Sequence, residues 1–589
     1  MKKFIVILLL FPFLLAGQQI KSISKAGDST RNKGYDEKSI MKKQAERYST
    51  RRKYETANMI YLDLINKFPD DWEIVEDLLN NYLRVSEYEK ADELLEKKKE
   101  IMPEYNFLRI KIPLLIRNGD TKKAYNLGDK FIDKNRNNVN VYKDLARIFS
   151  GSRQYEKSAE ILEKVRNVTK DEYLFTLDLA RSYQSQELNK RAAREYLKHL
   201  ERNKHYLHYV MNNLKGILNR DPTVIESVEK FSRQADNKVV SEAYALCLAH
   251  LQKFDLALLQ YQKLDSIKLL NFAEELTKMK KYEIALKAYQ QYEDSVKEPD
   301  LQAEAQLAKA DIYIELGEFS KAENELNLIY ENKKITNSKY RYRTQAAKRA
   351  RLMLADLAVR LDKPSSVVID YLQEAAQYSN NQMERKEIKF AVIDYQIKTE
   401  NLDTAKEQLT DLLKSEEEGT DIYKQSLFYT WQIALMQKDA LADSLLGELI
   451  LNLPQNRFTT QALYLTQISV SLPKEFHQEL FQAWRLRGLY KNKEAVEVLE
   501  SIIELTGNDE IQLLAAEWQK NENPQKSMFW WESDYENELL NEYSQFMIME
   551  NTISDSLRQE LITSFLKENP QSIFAPGFRN ELNRIKQEN

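Results

Sequence analysis

Five small residues, Ala57, Ala91, Ala124, Ser158 and Ala192, stand one near-constant interval apart. The steps between them are 34, 33, 34 and 34 residues. A fixed period of this length marks stacked helical repeats, each a unit that cannot bury its apolar face alone. A chain of 589 residues exceeds what one ordinary core holds. A solenoid escapes that limit because each repeat buries itself against its neighbours. Glycine and proline number only 13 and 12, too few to interrupt helices often. An apolar fraction of 43% is too high for a disordered chain. The net charge of -4 and a pI near 6.0 lack the basic excess of a nucleic-acid binder, so no nucleic acid is expected as partner.

The N-terminus reads as a secretory signal over 1–17. Lys2 and Lys3 precede an apolar run from Phe4 to Leu15, too short to span a bilayer. Cleavage after Ala16 or Gly17 is expected, with an uncleaved anchor as the competing reading. No cysteine lies near this segment, which disfavours a lipoprotein. No later apolar run reaches the length of a span, so no membrane span is expected after signal removal. The mature chain is expected in an exported compartment, periplasmic or peripheral at the outer membrane. Residues 18–37 read as a flexible leader. The only cysteine, Cys247, lies in a helix-like apolar run and reads as a small buried hydrophobe.

Beyond the leader, each unit carries further markers. The first has Tyr48, Tyr54, Ala57, Tyr61 and Pro69; the second has Tyr82, Tyr88, Ala91, Leu95 and Pro103. A small residue is required where two helices cross closely. The aromatic three residues earlier fills the gap beside the turn, and the proline cannot continue the second helix. This pattern resembles the tetratricopeptide repeat. Tyr142, Leu145, Ala146, Phe149 and Tyr155 continue it, as do Leu179, Ala180, Tyr183 and Tyr196. The third unit departs from it, with Gly128 where an aromatic is usual. Units recur with altered spacing at Ala257, Ala285 and Ala322, and weaker echoes follow at Ala405 and Ala495. Segments 453–458 and 569–576 are similar to helix junctions of bacterial envelope repeat proteins. The resemblance is specific over about 39–200 and 238–330. It implies an all-α, right-handed superhelical solenoid of antiparallel helix pairs, with more degenerate repeats toward the C-terminus. The expected divisions are a regular array over 38–205, repeat-like hairpins over 206–345 and degenerate hairpins over 346–589.

No phosphate-binding glycine loop, HExxH, GxSxG or CxxC occurs, so no catalytic residue and no cofactor are expected. His199, His205 and His208 offer three nitrogens, but surface or packing roles are the simpler reading. Two clusters attract interest as partner-binding patches. Lys339, Arg341, Arg343, Lys348, Arg349 and Arg351 form a run without an acid, interleaved with Tyr340 and Tyr342. It suits an acidic partner, with pairing to acids of the adjoining repeat as the alternative. Phe529, Trp530, Trp531 and Tyr535 form an aromatic group that is either core or a binding patch with one tryptophan exposed.

In this repeat type the first helices of the pairs line a groove. The resemblance places Glu73, Glu76, Asn80 and Arg84 there, with Lys143, Arg147, Arg181 and Gln184 further on and Glu304, Asp311 and Glu315 in the best later unit. The family's clamp for a C-terminal carboxylate is matched only by Lys42. Glu46 and Asp77 replace its asparagines and would repel a carboxylate. The expected function is a non-enzymatic scaffold that binds a protein or peptide of the cell envelope. A carbohydrate-binding module of the outer membrane and an enzyme with an unrecognised site in 346–589 are the alternatives.

Overall fold

The computed structural model describes residues 33–452, 457–552 and 554–588. The expected signal and most of the leader, with residues 453–456 of one predicted junction, lie outside them. The described residues are all-α, without a strand. They form two compact units, one ending at Gln260 and the other beginning at Tyr261. The first helix starts at Lys33, so the end of the segment expected to be a flexible leader is helical instead.

In the first unit, antiparallel pairs follow one another: Lys33–Thr50 with Tyr54–Lys67, Trp72–Arg84 with Tyr88–Lys97, Glu104–Arg117 with Thr121–Lys134, Val139–Gly151 with Tyr155–Thr169, and Thr176–Ser185 with Asn189–Arg202. Every rung of the small-residue ladder sits at a crossing. Ala57, Ala91, Ala124 and Ala192 are fully buried. Ser158, where the hydroxyl would be costly if unpaired, bonds Ser182 Oγ at 3.1 Å. Polar N-caps open several first helices: Asp71 accepts from the Glu73 amide and Asn138 from the Asn140 amide.

A second ladder runs beside the first. Arg52, Ser86, Gly119, Arg153 and Glu187, one in each turn, have positive φ between 59° and 83°. After each, a backbone N–H returns to a carbonyl in the last turn of the preceding helix. Lys53 N bonds Tyr48 O, Glu87 N bonds Tyr82 O and Gln154 N bonds Phe149 O, at 2.8–2.9 Å. This is the left-handed closure of a helix C-terminus. Only Gly119 adopts it without steric cost. Gly128 has a different reason. A Cβ there would lie 2.9 Å from the Phe149 ring, so the aromatic missing from position 128 is supplied by the following repeat.

The gaps in the ladder carry a valine in place of the small residue. Val228 and Val368 are buried like the alanines. Leu207–Arg220 and Ile225–Ala235 pack mainly on the helices before and after them. Around Val368 the small side chains come from the partner helix, Arg341–Arg360, whose Ala355 and Ala358 share its core. In the second unit Ala285, Ala322, Ala405, Ala462 and Ala495 are all fully buried. A further rung, Ser527, is buried and bonds the Ala516 carbonyl at 2.8 Å.

The second unit also makes contacts that a simple stack does not. The end of helix His477–Gly488 and the turn after it return to hairpins 85 to 134 residues earlier. Leu489 packs among Ala355, Val392 and Tyr395. Tyr490 donates to Asp356 and accepts from Arg360 at 3.2 Å. Lys491 pairs with Asp362 at 3.0 Å, and Arg485 pairs with Glu400. Tyr490 holds φ at 62°, the same left-handed closure as in the first unit, with Lys491 N bonding Leu486 O at 2.9 Å.

Candidate binding site

The first helices of the pairs in the first unit present a polar face, and its predicted groove residues are tied to the next repeat. Lys42 reaches Glu73 at 3.0 Å and Asp77 at 3.5 Å. Its positive charge is thus already matched, and one of its acidic partners, Asp77, occupies a clamp position. Glu76 accepts from Asn106 at 2.7 Å and pairs with Arg109. Arg147 lies 3.9 Å from Asp178. Arg181 donates to the Tyr209 hydroxyl at 3.1 Å, and Lys143 sits over the Phe175 ring. Gln184 accepts from Tyr196. Asn80 is half-buried and Arg84 exposed. Glu73, Arg147 and Arg181 also remain exposed, at positions that neighbouring repeats already fix. Preorganisation of this kind reduces the ordering cost of binding.

In the second unit the later groove residues and the basic run meet each other. Arg349 binds Glu304 with Nη1 at 2.9 and 2.6 Å from the two carboxylate oxygens. Arg343 pairs with Asp300 at 3.1 Å and Lys348 with Glu384 at 2.7 Å. Arg351 is buried between the Tyr330 and Tyr371 rings and pairs with Glu374 at 2.7 Å. Arg341 remains exposed. Asp311 is pushed above the ordinary carboxylate range by desolvation and Glu315, against the pull of Arg349. Most of the run's charge is therefore spent on acids of adjacent hairpins.

The tryptophan expectation changes. Trp530 and Trp531 are both buried, in the core with Leu514, Trp518 and Tyr535. Adjacent positions on a helix do point apart, but Tyr535, which donates to the Trp530 carbonyl, and the neighbouring hairpin cover both. Phe529 is the exposed aromatic, and a tryptophan platform is absent. Cys247 is fully buried and burial pushes its thiol up to about 12, which makes it inert. His199 bonds Thr176 and is held below the ordinary imidazole range by burial. His205 and His208 are exposed. Among the described residues no group of three His, Cys, Asp or Glu side chains is placed to hold a metal, and no helix is long and apolar enough to cross a membrane.

Two cavities of the second unit have no counterpart in the sequence reading. They adjoin at Tyr464. The first, about 430 Å³, is mainly apolar, with Leu513, Leu540, Tyr543 and Phe574 in its walls and Glu510 and Glu517 at its edge. The second, about 470 Å³, is lined from four helices and includes Tyr429, Trp484, Arg485 and Arg487. The clustering of Trp484, Arg485 and Arg487 within four positions is the one sequence signal that could have marked it.

No family model matches the chain, and no curated protein matches it. Among solved structures, it is similar to one titled "Structure of Naa15/Naa10 bound to HypK-THB", at 14% identity and a TM-score of 0.22 over 94% of this chain and 79% of that one. It is also similar to one titled "Crystal structure of APC/C hetero-tetramer Cut9-Hcn1", at 13% identity and a TM-score of 0.23 over 72% of this chain and 96% of that one. TM-scores this low leave the fold to be read from the packing of the helices themselves: an all-α array of antiparallel, tetratricopeptide-like hairpins.

Proposed function

We propose that the chain is an exported, non-enzymatic scaffold that binds a protein or peptide of the cell envelope along the first-helix face of its N-terminal unit. The observation that carries this reading is the row of mixed-charge side chains, half-buried at Lys42 and exposed at Arg147 and Arg181, held by the next repeat: Lys42 on Glu73, Arg147 on Asp178, Arg181 on Tyr209. A long preset row of this kind suits an extended polar partner better than a small substrate. Export rests on Lys2, Lys3 and the apolar run that follows. Binding of envelope proteins by the mature chain tests the first part, with a double Arg147→Glu/Arg181→Glu variant as control. The reading expects one partner retained by the native chain and lost by the variant. Fractionation tests the second part: full-length, unprocessed protein in the cytoplasm would contradict export.

A further inference from the structure

The 470 Å³ cavity of the second unit holds a cation, Arg487, with no carboxylate in ion-pair contact among the described residues. Its walls come from Gln382–Lys398, Asp421–Met436, Arg457–Val470 and His477–Gly488. The other charged side chains lining the cavity have ion-pair partners, although Arg485 Nε stays buried without a hydrogen bond. Lys398 pairs with Asp394 at 2.6 Å, and Arg485 pairs with Glu400. Among the described residues no carboxylate lies within ion-pair distance of Arg487. Its guanidinium is half-buried and sits over the Trp518 ring, 4.6 Å from the centroid. Ring contact of this kind orients a guanidinium but supplies none of the acceptors its N–H groups require. Burial pulls Arg487 below its ordinary value even though Glu517 and Glu522 oppose the shift. None of its nitrogens is a buried orphan, so the N–H groups face the open side of the cavity, where a ligand's oxygens can replace water as acceptors.

The rest of the cavity describes the body of that ligand. Trp484 stands edge-on to both Tyr464 and Trp518, with ring centroids 6.4 and 5.6 Å away. Phe428, Met436 and Leu465 complete an apolar wall, and Gln432 and Gln461 add amide groups. The volume falls within the range of small-molecule sites. The guanidinium fork is matched by a planar two-oxygen anion.

We propose that this cavity binds an organic carboxylate with an aromatic or branched apolar body, the carboxylate on Arg487 and the body against Trp484 and Phe428. The same chemistry is presented by a free acid and by the terminal residue of a peptide. The site is separate from the N-terminal polar face, so it stands whether or not that face binds an envelope protein.

Calorimetric titration of the full chain tests it, with Trp fluorescence as a second readout. The probes are phenylpropionate, phenylpropionamide, a short uncharged peptide ending in phenylalanine with a free carboxylate, and the same peptide amidated. At least one acid should bind about ten- to a hundredfold tighter than its amide. Binding of phenylpropionate points to a free acid, and binding of the peptide acid alone points to a chain terminus. Arg487→Gln should reduce the acid to the affinity of the amide, and Arg487→Lys should retain only part of the preference. Amides that bind as tightly as the acids, or no acid binding at millimolar concentration, would overturn the proposal. That comparison uses the native chain and decides the matter even if the variants do not fold.

Discussion

In the first unit Arg147 reaches Asp178, one repeat away; in the second, Tyr490 reaches Asp356, more than three hairpins back. The two units use the same hairpin but are tied together differently. Contacts limited to neighbours give a stability that is a sum over repeats and interfaces. Contacts between distant turns must first meet the entropy of closing a long loop. Once made, they couple every hairpin inside that loop. The cavity with Arg487 lies inside the loop closed by Leu489, Tyr490 and Lys491, whereas the polar face of the first unit lies along an open row. An open polar row and an enclosed cavity thus follow from one change in connectivity.

The largest effect should come from the buried charges of the first unit. Arg166 binds Glu195 at 2.6 Å, with Lys198 3.7 Å from the same carboxylate. Arg166→Ala should cost about 3–5 kcal/mol, and hydrogen exchange should show the loss confined to adjacent repeats. Opening that spreads through the whole unit would break the contrast. In the second unit Leu489→Ala should cost less, about 1–2 kcal/mol for a half-buried leucine. There the faster exchange should appear together at 356–400 and 477–491. A change limited to the turn itself would show that the long-range contacts do not couple hairpins.

Turn substitutions sharpen the comparison further. Gly119→Ala should destabilise the chain by about 1 kcal/mol through its left-handed φ, and Arg153→Gly should be neutral or slightly stabilising, both read from thermal melts. The smallest expected effect is a pH one. The hydrogen bond from Lys198 holds Glu172 below its ordinary value of 4.5. A carboxylate lowered in the folded state contributes stability above its unfolded value, and this contribution is lost as pH falls through the folded one. Glu172→Gln should therefore reduce the loss of first-unit stability below about pH 4.5, measured by acid titration of the melting temperature.

The alanine ladder was legible because a close helix crossing admits little else, so chemistry at one position reports the contact. The hairpin at Val368 was not, because its small residues, Ala355 and Ala358, stand on the partner helix. Gly128 looked like a departure from the pattern only because Phe149, which fills the space, belongs to the following repeat. Periodicity placed Glu304 in a groove and composition marked Arg349 as basic, but their pairing needed the fold. The Arg487 cavity was hidden for a similar reason. Its walls join helices spread over about a hundred residues, and only the return of the turn at 488–491 brings them together. For Trp530 and Trp531 the helical angle was read correctly, but the cover from the next hairpin was not visible in one segment.

The central claim is that the N-terminal unit recognises a partner through its row of fixed polar side chains. The most direct measurement is the affinity of the mature chain for a protein purified from envelope extracts, compared with Arg147→Glu/Arg181→Glu at equal helicity and melting temperature. The account predicts a loss of about tenfold or more from reversing two charges in the row. Unchanged affinity in the variant would contradict it, as would failure of the native chain to retain any envelope protein above a control.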